Sequence, residues 1–178
     1  MRPAVTGEVR VRLATFDDAD AIAHAHLDAW DWAYRGLISD GYIDLLLSER
    51  AARIERWRGI LAADSGATRT WVAERAGALA GFCGTGPAQD EDAAPGTGEV
   101  RALYLRPEVV GTGVGRILFA HAVTNLRERG FDPLTLWVLR ENVRARRFYE
   151  AAGWRPDGAE KVEIRPDTEL AEVRYRAP

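Results

Sequence analysis

Apolar residues change period several times along this chain, and each change marks out an element. Val9 to Leu13 alternates as a strand does. Thr15 and Asp17 then open a helix with two apolar edges at helical spacing, one made by Ile22, Ala25 and Ala29 and the other by Leu27, Trp30 and Tyr34. RGLISDGY breaks that pattern before a second helix, predicted over about Tyr42 to Ala63. Two strands, Arg69 to Glu74 and Ala78 to Gly84, flank an Ala76–Gly77 turn and predict a hairpin. The stretch GPAQDEDAAPGTG, Gly86 to Gly98, is acidic and of low complexity, and is expected as a solvated loop. KVEIRPDTELAEVRYR predicts a closing hairpin that turns at Arg165 to Thr168.

The strongest chemical signal lies between these parts. Val100, Ala102 and Tyr104, with the intervening Leu103 and Leu105, read as a largely buried strand that Pro107 closes. Gly111, Thr112, Gly113, Val114 and Gly115 form a glycine turn, after which Phe119, Val123 and Leu126 recur at helical spacing until Gly130 stops the helix. Glycines at a strand–helix junction let the backbone approach a ligand, and the first free amides of the helix favour an anion such as a pyrophosphate. A P-loop is excluded, because Arg116 and Ile117 stand where Lys and Ser or Thr are needed. A dinucleotide fingerprint is excluded too: its third glycine is missing, and Asp132 stands before the next strand and not at its end.

A second strand, Leu134 to Leu139, leads into a helix with Asn142 at its N-cap and Gly153 as its stop. Asn142 and Tyr149 are seven residues apart and so share one helix edge. The succession of strand, VGTGVG turn, helix, strand and Asn-capped helix ending FYEAAGW, from Glu99 to Trp154, closely resembles the acetyl-CoA-binding core of the GNAT family of N-acetyltransferases. The resemblance implies an α/β fold, a mixed and mostly antiparallel central sheet flanked by helices, in a single domain over residues 9–176.

The same resemblance implies roles. Backbone of Leu103, Tyr104 and Leu105 pairs with the pantetheine arm of acetyl-CoA as an added strand would. Amides of Gly111, Thr112, Gly113, Val114, Gly115 and Arg116 bind its pyrophosphate, and Asn142 both caps its helix and bonds a pantetheine amide. The family commonly carries Arg or Gln directly before the first glycine; this chain has Val110, and Arg116 is positioned to substitute. Tyr149 holds the general-acid position. Glu99 stands where several members place a general base, which an ammonium acceptor requires before it can attack. The acceptor wall is expected in Asp28 to Tyr42, where Trp30, Trp32, Tyr34 and Tyr42 suit an amine with an apolar or aromatic body, Trp30 and Tyr34 being taken as substrate-binding residues, and where Asp28 or Asp31 is the acid to attract a cationic amine. Arg140, Arg144, Arg146 and Arg147 form a basic cluster around the helix that Asn142 caps, with two readings: a solvated face that pairs with Glu141 or Glu150, or a face from which one side chain reaches the cofactor's 3′-phosphate. Trp137 is expected in the core.

Composition narrows the field further. The chain has 178 residues, 47% of them hydrophobic, and a net charge of −3, which suits one core and gives no reason to expect nucleic acid. No apolar run approaches a membrane span, and MRPAVTGEVRVRLAT lacks the apolar segment of a secretory leader, so a cytoplasmic protein is expected. Cys83 is the one cysteine and reads as a buried, inert thiol. His24 and His26 point to different helix faces, and no metal is assigned. The expected function is acetyl transfer from acetyl-CoA to a primary amine of a small molecule or a peptide terminus. The alternative is a GNAT-like module that holds acyl-CoA as a sensor without turnover. A homodimer is compatible with either reading.

Overall fold

The computed structural model describes residues 7–63 and 66–178. Residues 1–6, part of the stretch read for a leader, lie outside the described residues. In chain order the elements are β1 (Val9–Leu13), α1 (Ala19–Tyr34), α2 (Asp40–Ser48), α3 (Arg50–Ala62), β2 (Arg69–Arg75), β3 (Ala78–Pro87), β4 (Gly98–Leu105), α4 (Val114–Glu128), β5 (Leu134–Leu139), α5 (Val143–Ala151), β6 (Arg155–Arg165) and β7 (Thr168–Arg176). The strands form one sheet in the order β1-β2-β3-β4-β5-β7-β6. β4 and β5 run parallel while the other neighbours are antiparallel, as the resemblance implies.

Side-chain alternation divides the sheet into two faces, each with its own core. Trp71, Ala73, Leu134, Leu136 and Tyr175 turn toward α4 and α5, where Leu118, Phe119, Leu126 and Tyr149 meet them. Val72 and Phe82 turn the other way and pack with Ile22, Ala25 and Trp57 of α1 and α3. Both apolar edges of α1 are used, since Leu27 and Trp30 pack on Tyr42 and Leu46 of α2.

The second helix predicted over Tyr42 to Ala63 is in fact two. Glu49, at φ −93° and ψ 28°, breaks it, and its N–H turns back to the carbonyls of Leu45 and Leu46. Their apolar faces have different targets: α2 packs on Leu27 of α1, whereas α3 aims Trp57 at Phe82. One straight helix could not serve both.

The acidic connection is likewise not a free loop. Asp90 and Asp92 bind the guanidinium of Arg174 at 3.1 and 2.7 Å, and Asp157 accepts from the same group at 2.8 Å. Arg174 is 5% exposed, so burial of its charge is offset by three carboxylates. Asp90 also accepts from the Trp137 indole at 2.9 Å. This segment lies over β5 and β7 on the face opposite α4 and α5.

Candidate active site

The central feature is a fork in the sheet. β4 and β5 pair over only three positions, ending at Val100 and Leu136; beyond them β4 stays with β3 as far as Leu105 while β5 follows β7. The β3–β4 register skips Arg101. That bulge reverses the inside–outside alternation, so that Val100, Leu103 and Leu105 all face the α4–α5 core while Ala102 and Tyr104 face α1. The fork-side edge of Arg101 to Leu105 has no strand partner among the described residues. A cleft of about 1500 Å³ runs through it.

On the α4 side the cleft is built to take an anion and an extended arm. Gly111 and Gly113 have φ of 81° and 93°, conformations that side chains with a Cβ rarely adopt. The first main-chain bond into α4 runs from Ile117 N–H to Gly113 O at 3.2 Å, which leaves the amides of Val114, Gly115 and Arg116 for a ligand. A Cβ on Gly115 would come within 2.8 Å of Leu105 Cδ1, which shows how closely the helix start lies against the side chains of the open strand. Asn142 caps α5, accepting from Ala145 N–H at 3.1 Å. An anionic donor with an amide-bearing arm fits these features.

The two candidate proton-transfer groups reach the cleft from opposite faces. Tyr149 packs among Phe119, Phe148 and Tyr175 on the α5 side, and burial raises its phenol well above the usual value. Glu99, next to inward-facing Val100, belongs to the α1 face. It is 8% exposed and accepts from Gln89 N–H at 3.3 Å; burial raises its pKa, partly offset by that bond and by Arg101.

On the α1 face the cleft is lined by Tyr34, Trp32, Trp137, Lys161, Glu163 and Glu172. Burial also raises Glu172, against the pull of Lys161. Two contacts cross above the fork. The Arg144 guanidinium lies 4.1 Å from the Trp32 ring centroid, and Ser39 Oγ donates to Asp167 at 2.7 Å, tying the α1–α2 connection to the β6–β7 turn.

Of the residues picked from sequence, Glu99, Leu103, Tyr104, Leu105, Gly111, Gly113, Gly115, Arg116, Asn142, Tyr34 and Tyr149 all line this one cleft. Thr112 and Val114 do not. The amide and hydroxyl of Thr112 both return to Val109 O, at 3.2 and 2.6 Å, and the Val114 side chain is fully buried under α4. Trp30 does not line the cleft: its ring meets Tyr34 and His26 edge-on behind it, while Trp32 and Tyr34 of the same helix reach the opening. Trp137, expected in the core, stands on the acceptor face at the base of the fork. Asp31 is engaged with Arg35 at 2.6 Å. In the arginine cluster, Arg140 pairs with Glu160 and Arg146 donates to Tyr175 Oη at 3.1 Å; of the four, Arg144 lines the cleft and Arg140, Arg146 and Arg147 do not. Sequence reading missed Glu172 and Lys161, whose only signal was alternation in the last hairpin. Among the described residues no three or more His, Cys, Asp or Glu side chains are arranged to hold a metal ion, and no helix is long and apolar enough to cross a membrane.

Comparison with known proteins agrees with this architecture. Residues 21–154 match the acetyltransferase (GNAT) family. A mycothiol acetyltransferase of Thermobispora bispora is 44% identical over 85 residues, which are 47% of this chain and 29% of that protein. The uncharacterized N-acetyltransferase YuaI of Bacillus subtilis is 29% identical over 139 residues, 75% of this chain and 73% of the relative. Among solved structures, the PaiA N-acetyltransferase of Thermoplasma acidophilum in complex with coenzyme A aligns with a TM-score of 0.68 at 22% identity, covering 93% of this chain and 98% of that one.

The chain therefore belongs to the GNAT acetyltransferase family, a family of acyltransferases. It spans under a third of the length of the mycothiol acetyltransferase it matches.

Proposed function

We propose that the protein transfers the acetyl group of acetyl-CoA to a primary amine by direct attack of the amine on the thioester. The observation that carries this reading is the fork, which opens one strand edge between a buried acid on one face of the sheet and a buried phenol on the other. The donor's pyrophosphate lies on the amides of Val114 to Arg116, and its pantetheine runs along Leu103 to Leu105 as an added strand. The thioester then sits where the faces communicate, and the acceptor enters from the α1 face. Val110 supplies no side-chain donor to the phosphates, so the grip there is carried by backbone and by Arg116.

Each proton has a route. The acceptor arrives as an ammonium with no lone pair. Glu99, direct or through one water, takes a proton, and its burial makes it more basic than a solvated carboxylate. The amine attacks the carbonyl carbon; as the C–S bond breaks, the Tyr149 hydroxyl gives its proton to the departing sulfur and the nitrogen's second proton restores the phenol, directly or through water, so that the products are the amide and the CoA thiol. A free thiol titrates near 8.5, below this phenol, so Tyr149 keeps its proton in the resting site and, until the transfer, stabilises the departing sulfur through a charge-assisted hydrogen bond. Carboxylates and indole faces on the acceptor side suit a cationic amine on a small molecule or a peptide terminus. Two measurements test the reading: calorimetric titration with acetyl-CoA, and thiol release across a panel of primary amines. Binding with acceptor-dependent thiol release is expected. Binding without release from any amine would leave a sensor module in its place.

A further inference from the structure

Lys161 is the single lysine of a chain whose 24 basic residues are otherwise arginine, and it stands at the acceptor side of the cleft. Its backbone is on β6, an edge strand, in register with Glu172 of β7, which in turn pairs with Leu139 of β5. Two strand spacings, roughly 10 Å, separate it from β5. The side chain spans that gap. Its Nζ lies 4.3 Å from the centre of the Trp137 ring and 3.4 Å from Glu172 Oε2. Because Val173 and Tyr175 point into the α4–α5 core, Glu172 and its register partner Lys161 belong to the opposite face, the face of Glu99 and Trp137.

An aromatic face with an adjacent carboxylate is a general seat for an ammonium group, and here it stands at the base of the fork, beside the place the reading above gives to the thioester. The chain's own ammonium fills it. The lysine side chain is 44% exposed on a flexible four-carbon stem, so it is free to move between Trp137 and the fork. Lysine is also the basic side chain that can give up its proton and react, whereas a guanidinium stays charged.

We propose that Lys161 is a self-acetylation site: without an acceptor, its amine occupies the acceptor's seat and takes the acetyl group from acetyl-CoA bound in the same chain. The inference rests on the acetyl-transfer reading. Nζ loses a proton to Glu172 and attacks the thioester carbonyl; the C–S bond breaks as the amide N–C bond forms, and CoA leaves as the thiol. Of the two protons the ammonium gives up, one ends on the CoA thiol and the other is released to water. The product is a neutral amide over Trp137, with Glu172 deprived of its cation. Reaction within one chain replaces a bimolecular encounter with a fixed one, so its rate is independent of protein concentration.

The test incubates the full chain with acetyl-CoA and no amine, and follows intact mass, peptide mapping and thiol release. One acetyl group per chain, mapped to Lys161 and matched by one thiol, is expected, with Lys161→Arg taking up none. Tyr149→Phe should slow the labelling by the same factor as it slows acceptor turnover, which separates the site's own chemistry from spontaneous acylation. An added amine that is turned over should suppress the labelling. Lys161 left unmodified in a preparation that binds acetyl-CoA and turns over an amine overturns this inference and leaves the acetyl-transfer reading intact. Label persisting in Lys161→Arg, a Tyr149→Phe rate equal to wild type, or a rate rising with protein concentration each overturns it as well. Failure to bind acetyl-CoA overturns both.

Discussion

Burial raises both Tyr149 and Glu99, and the consequences differ because one group gives a proton and the other takes one. For Tyr149 the shift keeps the hydroxyl intact at every pH at which the enzyme would work. Tyr149→Phe deletes that hydroxyl and keeps the ring that packs on Phe119 and Phe148, so stability and acetyl-CoA affinity should hold while turnover falls by about 10² to 10⁴. Turnover within about twofold of wild type would make Tyr149 a packing residue. For Glu99 the raised value moves upward the pH at which the base is lost, so the acid limb of the rate profile should lie above the range of a solvated carboxylate. Glu99→Gln should remove that limb and recover rate where the pH exceeds the acceptor's own pKa. Glu172, also raised by burial, is the competing assignment. If Glu172→Gln abolishes the limb and Glu99→Gln leaves it, the base is Glu172.

Elements decide which parts of this site a sequence can reveal. The donor half is local: a glycine turn, a helix start and an Asn cap lie within Gly111 to Ala145, and each follows from spacing alone. Gly113 shows the constraint. With φ at 93° and open space around a built Cβ, a valine there strains the backbone and projects into room reserved for the donor. Gly113→Val should lower CoA affinity at least about tenfold, or about 1.4 kcal/mol, by calorimetry. Gly130→Val, at φ 83° with equally open surroundings beyond the far end of α4, imposes the same strain away from the turn. It should cost stability and leave affinity unchanged, and an equal loss in both variants would remove the pyrophosphate assignment. The acceptor half was illegible for a physical reason. Trp137, Lys161, Glu172 and the Asp90 loop meet only through the β5-β7-β6 order and the ties of Arg174 to three carboxylates. The bulge at Arg101, which sets which side of β4 faces the cleft, leaves no mark in the local pattern. Nor did the break at Glu49, which is set by what α2 and α3 pack against.

Across the whole molecule, the α1 layer and the fork are joined through an aromatic cluster with a histidine at its centre. His26 lies among Trp30, Trp57, Phe82 and Tyr104, with Trp57 Nε1 donating to its Nδ1 at 3.3 Å. Tyr104 belongs to the open edge of β4, so the cluster backs the cleft wall. Burial, with Arg53 and Arg56 nearby, lowers the imidazole from 6.5 to about 3, and the ring is neutral in the folded protein at any mild pH. The unfolded chain has no such cage, and its His26 protonates near 6.5. Between those values the unfolded state binds more protons than the folded one, so His26 makes stability fall as the pH drops from about 6.5 toward about 3, by up to about 1.4 kcal/mol per pH unit. Glu99 and Glu172, raised by burial, act in the opposite direction through the carboxylate range, and a single unfolding profile would mix these contributions. The informative measurement is a difference: urea unfolding of wild type and His26→Asn, at steps from about pH 4.5 to about pH 7, within the window set by the imidazole. Asparagine keeps an acceptor for Trp57 and cannot titrate. Its cost in α1 shifts the whole curve, so the slope alone reports on His26, and the variant's stability should fall less steeply with acid. Parallel slopes would mean that His26 titrates alike in both states and that the aromatic cluster behind the cleft is open to water.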